Sequence, residues 1–336
     1  MKRSAFVSLV LAIVLLMGVS SQPVSRADRP TGRVAVIPYD GSAAPAMAAS
    51  VTRDSHASLQ WSIFKALVPE AWRVTSGDAS VIIAVLDTGI DRTHEDLVGR
   101  VVAEVNFTTS PTAGDVYGHG THVAGIIAAA ANNGVGIAGL AYDCRLLNVK
   151  VADDGGWVTA EALAKGIIWA VDHGARVINM SLYLLEPSVE VERSVSYAWE
   201  KGAVLVASSG NYLGSRLTYP AYYEKCLGVA ATDMHDEVTA WSGKGSWVEV
   251  AAPGVSIYSL LPGNKYQALS GTSMAAAHVS GLAGLLFSVA NDRNGDGRAN
   301  DEVRAAIEAS CDRLYSSGVK GRINALRAVE RLVGAE

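Results

Sequence analysis

Residues 117 to 125 read YGHGTHVAG, which places His119 and His122 three positions apart among three glycines. Three readings suit such a run. At that spacing two imidazoles lie close to one face of a helix, as ligands for zinc would. The zinc-helix pattern needs a glutamate directly after the first histidine to serve as base, and here Gly120 and Thr121 fill the gap. The second reading is a lone histidine acting as general base. The third has no chemistry: a glycine-rich turn entering the apolar helix THVAGIIAAA. This stretch alone leaves all three open.

Two other positions have the residue types for chemistry. Asp87 ends VIIAVLDTGID, and Ser273 lies in GTSMAAAHVSGLAGLLF. An Asp-Thr-Gly can belong to a two-aspartate site, but that needs a second such triplet, which the chain lacks. By itself Asp87 could simply form a turn. A serine at the start of a long apolar helix has positive partial charge at its backbone, yet an N-cap serine is a common structural feature. The set becomes informative through its order: aspartate, histidine, serine.

These residues must be held by elements, and the pattern of apolar runs says which. VIIAVLD (81–87), RLLNVKVAD (145–153), ARVINMSL (175–182), AVLVASSGN (203–211) and CLGVAATD (226–233) are continuous apolar stretches rich in β-branched residues. Such runs are strands buried on both faces. Helical stretches near 119–131, 159–173 and 189–201 alternate with them. The prediction is an α/β fold, a doubly wound and mostly parallel sheet with helices on both faces. Asp87, Ser181 and Asn211 stand at strand ends, and in such sheets ligands bind beyond the carboxyl ends of the strands.

The 336 residues are 49% hydrophobic with a net charge of −5, enough for a large core, and no basic run points to nucleic acid. Lys2 and Arg3 precede the apolar AFVSLVLAIVLLMGV, a signal-peptide pattern, with cleavage after position 21 or 27. The predicted organisation is a signal peptide over 1–27, a linker or short pro-segment over 28–56 and a single large domain over 57–336. Within 28–56, RVAVIPY could be a strand. The protein is expected to be secreted or extracytoplasmic, monomeric, and off the membrane once the leader is removed. Cys144, Cys226 and Cys311 are few and odd in number, so three free, mostly buried thiols are expected.

VIIAVLDTGID, GHGTHVAGI, SSGN and GTSMAAAHVSG together resemble the four signature blocks of the subtilisin-like serine proteases, in that family's chain order. AAPGVSIYSLLPGNKYQALSGTSMA and GVKGRINALRAVE match as well, so the resemblance spans about 57–336 and is nearest the thermitase branch. It implies a serine endopeptidase acting on proteins or peptides through an acyl-enzyme. Ser273 would be the nucleophile, His119 its base, and Asp87 the group that orients the base. Asn211 would donate to the oxyanion. His122 becomes a structural neighbour, which removes the zinc reading.

The resemblance also implies structural calcium and no organic cofactor. NNGVGIAG (132–139) is similar to a calcium loop, with carbonyls of Ala131, Val135 and Ile137, the Asn133 side chain, Asp96, and Asp54 from the N-terminal arm as ligands. DRNGDGRANDEV (292–303) is a second candidate, with Asp292, Asn294 and Asp296 at EF-hand positions 1, 3 and 5, but Val303 stands where the closing glutamate should be.

The substrate of this family lies as an extended strand between two segments. Here they are Ser181-Leu182-Tyr183 and Gly156-Trp157-Val158. The wall of the primary pocket reads Ser208-Ser209-Gly210, more polar than usual. Tyr183 and Trp157 stand where small residues are usual: either they point to solvent and change nothing, or they narrow the groove, which would support a restricted processing protease as the alternative to a general degrader. An inactive binding module on the same fold is the remaining alternative.

Overall fold

The computed structural model describes residues 32–34, 51–212, 216–314 and 318–334. The predicted signal peptide and its cleavage points lie outside the described residues, as does most of the 28–56 segment. Among the described residues no helix is long and apolar enough to cross a membrane.

The chain runs β1 (Gly32–Arg33), α1 (Trp61–Lys65), α2 (Val68–Ala71), β2 (Ile82–Asp87), β3 (Val101–Asn106), α3 (His119–Ala128) and β4 (Arg145–Lys150). It continues through β5 (Trp157–Val158), α4 (Ala160–Asp172), β6 (Ala175–Met180), β7 (Tyr183–Leu184), α5 (Val189–Glu200), β8 (Val204–Ser208) and β9 (Cys226–Thr232). Then come β10 (Val250–Pro253), β11 (Ile257–Leu261), β12 (Lys265–Leu269), α6 (Thr272–Phe287), α7 (Asn300–Ala309) and α8 (Ala325–Val333). Seven strands form one parallel sheet in the order β10-β9-β8-β6-β2-β4-β3.

Strand alternation divides the core. Ile83 and Val85 of β2 join the cluster under α3 and α6, while Ala84 and Leu86 join the cluster under α4 and α5. With a period of two, each buried strand must be apolar on both faces. α6 is buried at all sixteen positions, which is why GTSMAAAHVSGLAGLLF shows no polar stripe. It packs against β6, β8, β9 and α3.

The five apolar runs and three helical stretches became elements with ends shifted by a few residues. Four strands of four or more residues escaped the pattern: β3, β10, β11 and β12. β3 is an edge strand whose residues alternate between half-buried and exposed, so its signal is weaker than a continuous run. β10 and the β11–β12 hairpin lie inside the AAPGVSIYSLLPGNKYQAL block. Residues just before position 57 pack on the same domain: Asp54 accepts N–H bonds from Asn132, Asn133 and Gly134, and the His56 N–H donates to the Gly136 carbonyl. The three cysteines are unpaired, with Cys144 and Cys226 buried. Burial pushes the thiols up, Cys144 to about 11 and Cys311 to about 12, so they are inert at neutral pH.

Candidate active site

β2 delivers Asp87 to the carboxyl edge of the sheet, and α3 begins directly at His119. The glycines of YGHGTHVAG explain the junction. Gly118 precedes the helix at φ +95°, a conformation that favours glycine. A Cβ at Gly120 would overlap the Gly89 carbonyl, so only glycine lets the first turn of α3 close on the end of β2. The result is a 2.7 Å hydrogen bond from His119 Nδ1 to Asp87 Oδ1, with both side chains buried. Asp87 Oδ1 also accepts from the Thr88 N–H at 2.7 Å. Nε2 of His119 is buried and has no hydrogen-bond partner.

Asp115, which the sequence reading missed, fastens this junction. Its carboxylate accepts from Thr88 Oγ1, the Gly118 N–H, the Thr121 N–H and Thr121 Oγ1, all within 2.7–2.9 Å. An acid four residues ahead of His119 at a helix N-terminus was the available signal. Lys150 was missed as well. It pairs with Asp87 in the β2–β4 register, is fully buried, donates to the Thr88 carbonyl and reaches Asp154 at 2.9 Å.

Ser273 is the second residue of α6 and is 2% exposed. Its hydroxyl donates to the Ser181 carbonyl at 3.1 Å, not to His119, while the Ser181 hydroxyl donates to the Ser273 carbonyl at 2.8 Å. One hydroxyl proton serves one acceptor, so the Ser273 hydroxyl is held just beyond the end of β6. Asn211 follows β8. Its Oδ1 accepts from the Thr272 N–H and hydroxyl, both at 2.9 Å. That fixes the amide so that Nδ2 lies beside Gly271, 3.2 Å from where a Cβ there would stand.

His122 is structural in this geometry. Its Nε2 contacts the Gln267 carbonyl at 3.0 Å, and burial lowers its pKa to about 3. His278 is lowered to about 4, again chiefly by burial. Both are neutral in the folded protein, whereas an unfolded histidine titrates near ~6.5. A depressed folded pKa contributes stability that is complete above ~6.5 and lost as pH falls toward 4. Glu249, raised to about 7 by burial, works oppositely between its ordinary value and 7, but it is one group against two. The melting temperature therefore falls between pH 6.5 and pH 4; a flat or rising profile would contradict the two neutral histidines.

The groove residues come together. Tyr183 and Leu184 form β7, Trp157 and Val158 form β5, and Gly156 precedes them. Tyr183 is buried and meets Tyr212 edge-on at 5.1 Å, a partner not foreseen; burial raises its phenol. Trp157 remains half exposed. The residues expected in the pocket wall bond within the protein. The hydroxyls of Ser208 and Ser209 donate to the carbonyls of Leu182 and Gly243, and Gly210 donates its N–H to Thr272 Oγ1. Their polarity is thus satisfied inside the protein.

The first calcium candidate assembles in part. Asp54 and Asp96 both converge on the 131–138 loop, Asp96 accepting from Asn133 Nδ2 at 2.8 Å and from the Ile137 N–H at 2.9 Å. The Asp96 carboxyl is raised, by burial first and also by the charge of Asp54. Hard oxygens with uncompensated negative charge fit a cation. The second candidate is a loop held by local bonds. Asp292 is bound to the N–H groups of Gly295 and Gly297, Asn294 to the Asp296 N–H and Asp301, and Asp296 forms an ion pair with Arg298 at 2.7 Å. The Arg298 guanidinium is held on the one carboxylate of Asp296. Among the described residues no group of three or more histidine, cysteine or acidic side chains is gathered as for a metal ion.

Comparison with known proteins agrees with this geometry. The family model "Subtilase family" matches residues 78–327. The chain is 44% identical to thermitase of Thermoactinomyces vulgaris over 279 residues, covering 81% of this chain and 96% of that protein. It is 46% identical to the thermophilic serine proteinase of Bacillus sp. (strain AK1) over 263 residues, 77% of this chain but 64% of that protein. Identity to subtilisin BL of Lederbergia lenta is 37%, over 78% of this chain and 96% of that one. The chain belongs to the subtilase family and is a subtilisin-like serine endopeptidase.

Proposed function

We propose that the protein is an exported endopeptidase in which Ser273 is the nucleophile, His119 the general base, Asp87 the group that orients it and Asn211 an oxyanion donor. The observation that carries this is the state of His119: Nδ1 is held by Asp87 at 2.7 Å, and Nε2 is buried without a partner. A neutral imidazole so held has its basic nitrogen ready for a proton. Rotation of the Ser273 side chain away from the Ser181 carbonyl brings the hydroxyl to it; such bonds often form only once substrate is bound.

In the reaction Ser273 Oγ bonds to the substrate carbonyl carbon while its proton passes to His119 Nε2. The oxyanion is met by the Ser273 N–H at the start of α6 and by Asn211 Nδ2. The carbon–nitrogen bond breaks as His119 returns the proton to the departing amine. Water then repeats the sequence to release the acid. A phenylmethylsulfonyl reagent labels Ser273 alone, and casein and peptide assays separate broad from restricted cleavage; absence of labelling would support the inactive module. The buried Tyr183 and the aromatic Trp157 favour restricted specificity.

Asn211→Ala lowers kcat by about 10²–10³-fold, the size established for the equivalent donor in subtilisin and carried over here. Steady-state rates on a peptide anilide check it, and unchanged turnover would remove Asn211 from the reaction.

The reading includes a structural calcium held by Asp54, Asp96, Asn133 and the carbonyls of Ala131, Val135 and Ile137. Bound there, calcium would offset the charge of the two acids, and Asp54 would tie the N-terminal arm to the loop. Saturating a site at a hundred times its Kd stabilises by about 2.7 kcal/mol, or about 5–10 °C for a domain of this size. A chelator lowers Tm by that amount and calcium restores it, whereas Asp54→Asn no longer responds. Identical melts with and without chelator would refute the site.

A further inference from the structure

β1 lies antiparallel between β5 and β7 as the middle strand of three. Gly32 pairs with Val158 and Leu184, and Arg33 with Trp157 and Tyr183. The Val34 N–H continues the ladder to the Gly156 carbonyl at 2.9 Å. Residues 32–34 fill the track that runs toward Ser181, whose carbonyl accepts from the Ser273 hydroxyl. In an antiparallel register each step along the strand moves one residue back along 184–181. A peptide on this track therefore has the second residue after the arginine opposite Ser181, with its carbonyl delivered to Ser273. Gly32, Arg33 and Val34 thus take the fourth, third and second positions before a cut bond.

Each position has a physical selector. A Cβ at Gly32 would overlap the Tyr183 carbonyl and approach Val158 Cγ1 to 2.8 Å; the backbone oxygen cannot yield, so glycine fits and larger residues do not. The Arg33 guanidinium stands 5.0 Å from the Trp157 ring centroid, within range of cation–π attraction, and the side chain is otherwise open to solvent. Val34 is fully buried in the apolar cluster that contains Val158, Leu182 and Leu184.

We propose that the cleft selects glycine, arginine and a β-branched residue at the fourth, third and second positions before the cut bond. Trp157 is the residue that selects arginine, and residues 32–34 are a built-in occupant with that sequence. The proposal rests on the endopeptidase reading above. It accounts for the aromatic residue at 157 as a specificity determinant.

The test uses acetylated p-nitroanilides on the full chain: Gly-Arg-Val-Ala, Gly-Gln-Val-Ala and Ala-Arg-Val-Ala. A tethered occupant competes with all three by the same factor, so ratios of kcat/KM are insensitive to it. Arginine is expected to exceed glutamine about three- to fivefold, and Trp157→Ala brings that ratio to about one. Alanine in place of the first glycine lowers kcat/KM about tenfold, as overpacking does. Arg33→Glu, which weakens the occupant, raises all the rates together and leaves their ratios alone. Equal rates for the arginine and glutamine peptides would overturn selection by Trp157. Absolute rates unmoved by Arg33→Glu would overturn occupancy by residues 32–34. Both failures are distinct from failure of the endopeptidase reading, in which no peptide is cut and the sulfonyl reagent leaves Ser273 unlabelled.

Discussion

Replacing Ser273 by alanine lowers kcat by about 10⁶-fold, the scale found in subtilisin for its nucleophile, and leaves the fold intact. The two halves of this result have separate causes. Chemically, no other hydroxyl replaces it: the Ser181 hydroxyl donates to the Ser273 carbonyl, and those of Ser208 and Ser209 donate to the carbonyls of Leu182 and Gly243. Structurally, the Ser273 hydroxyl makes one neutral hydrogen bond, to the Ser181 carbonyl at 3.1 Å, worth about 1 kcal/mol. Alanine is the better helix former, and the site lies in the first turn of α6. The check is kcat on a peptide anilide beside a thermal melt. Retention of a tenth of the activity, with an unchanged melt, would show that another group attacks the substrate.

Asp87→Asn is the second large effect on the proposed mechanism, a loss of about 10⁴-fold in kcat, the size known for the same change in an Asp-His-Ser protease of unrelated fold. Asp87 Oδ1 accepts from both His119 Nδ1 and the Thr88 N–H at 2.7 Å, and Oδ2 is buried without a partner. An amide cannot satisfy that geometry in both orientations. With its oxygen on His119 and Thr88, its NH₂ is buried and unpaired, at a cost of about 1–3 kcal/mol. With its NH₂ on His119, it holds the wrong tautomer and Nε2 carries the hydrogen. In neither case does a negative charge stabilise the imidazolium formed as Ser273 attacks. Rates measured on the same anilide decide it. A loss below tenfold would mean that orientation of His119 comes instead from the packing of α3, with Asp115 holding its first turn.

Much of the architecture was legible in the sequence because the strands of the central sheet are buried on both faces. Two-sided burial demands unbroken apolar runs, and VIIAVLD or CLGVAATD can hardly be anything else in a chain that alternates with helices. The edge strand β3, half in solvent, carries no such demand and was missed. The aspartate, histidine and serine were legible for a different reason: each sits in a block whose neighbours are constrained, as Gly118 and Gly120 are by the closeness of α3 to β2. The glycines in YGHGTHVAG are there to place His119 against Asp87, and His122 is a buried neutral histidine.

What only the tertiary structure decided are the pairings between segments far apart in sequence. Asp115 binding both Thr88 and Thr121, Tyr183 meeting Tyr212, and Arg298 donating to the Glu200 carbonyl depend on where loops close. No local pattern encodes that. A two-residue strand such as β1 is the extreme case. Its periodicity is too short to read, and Gly32-Arg33 acquires meaning only when β5 and β7 stand on either side of it. Local sequence determined which segments could be strands or helices and which residues could react, because propensity and burial act over a few neighbours. The three-dimensional arrangement determined which groups satisfy one another, because hydrogen bonds and steric limits act through space.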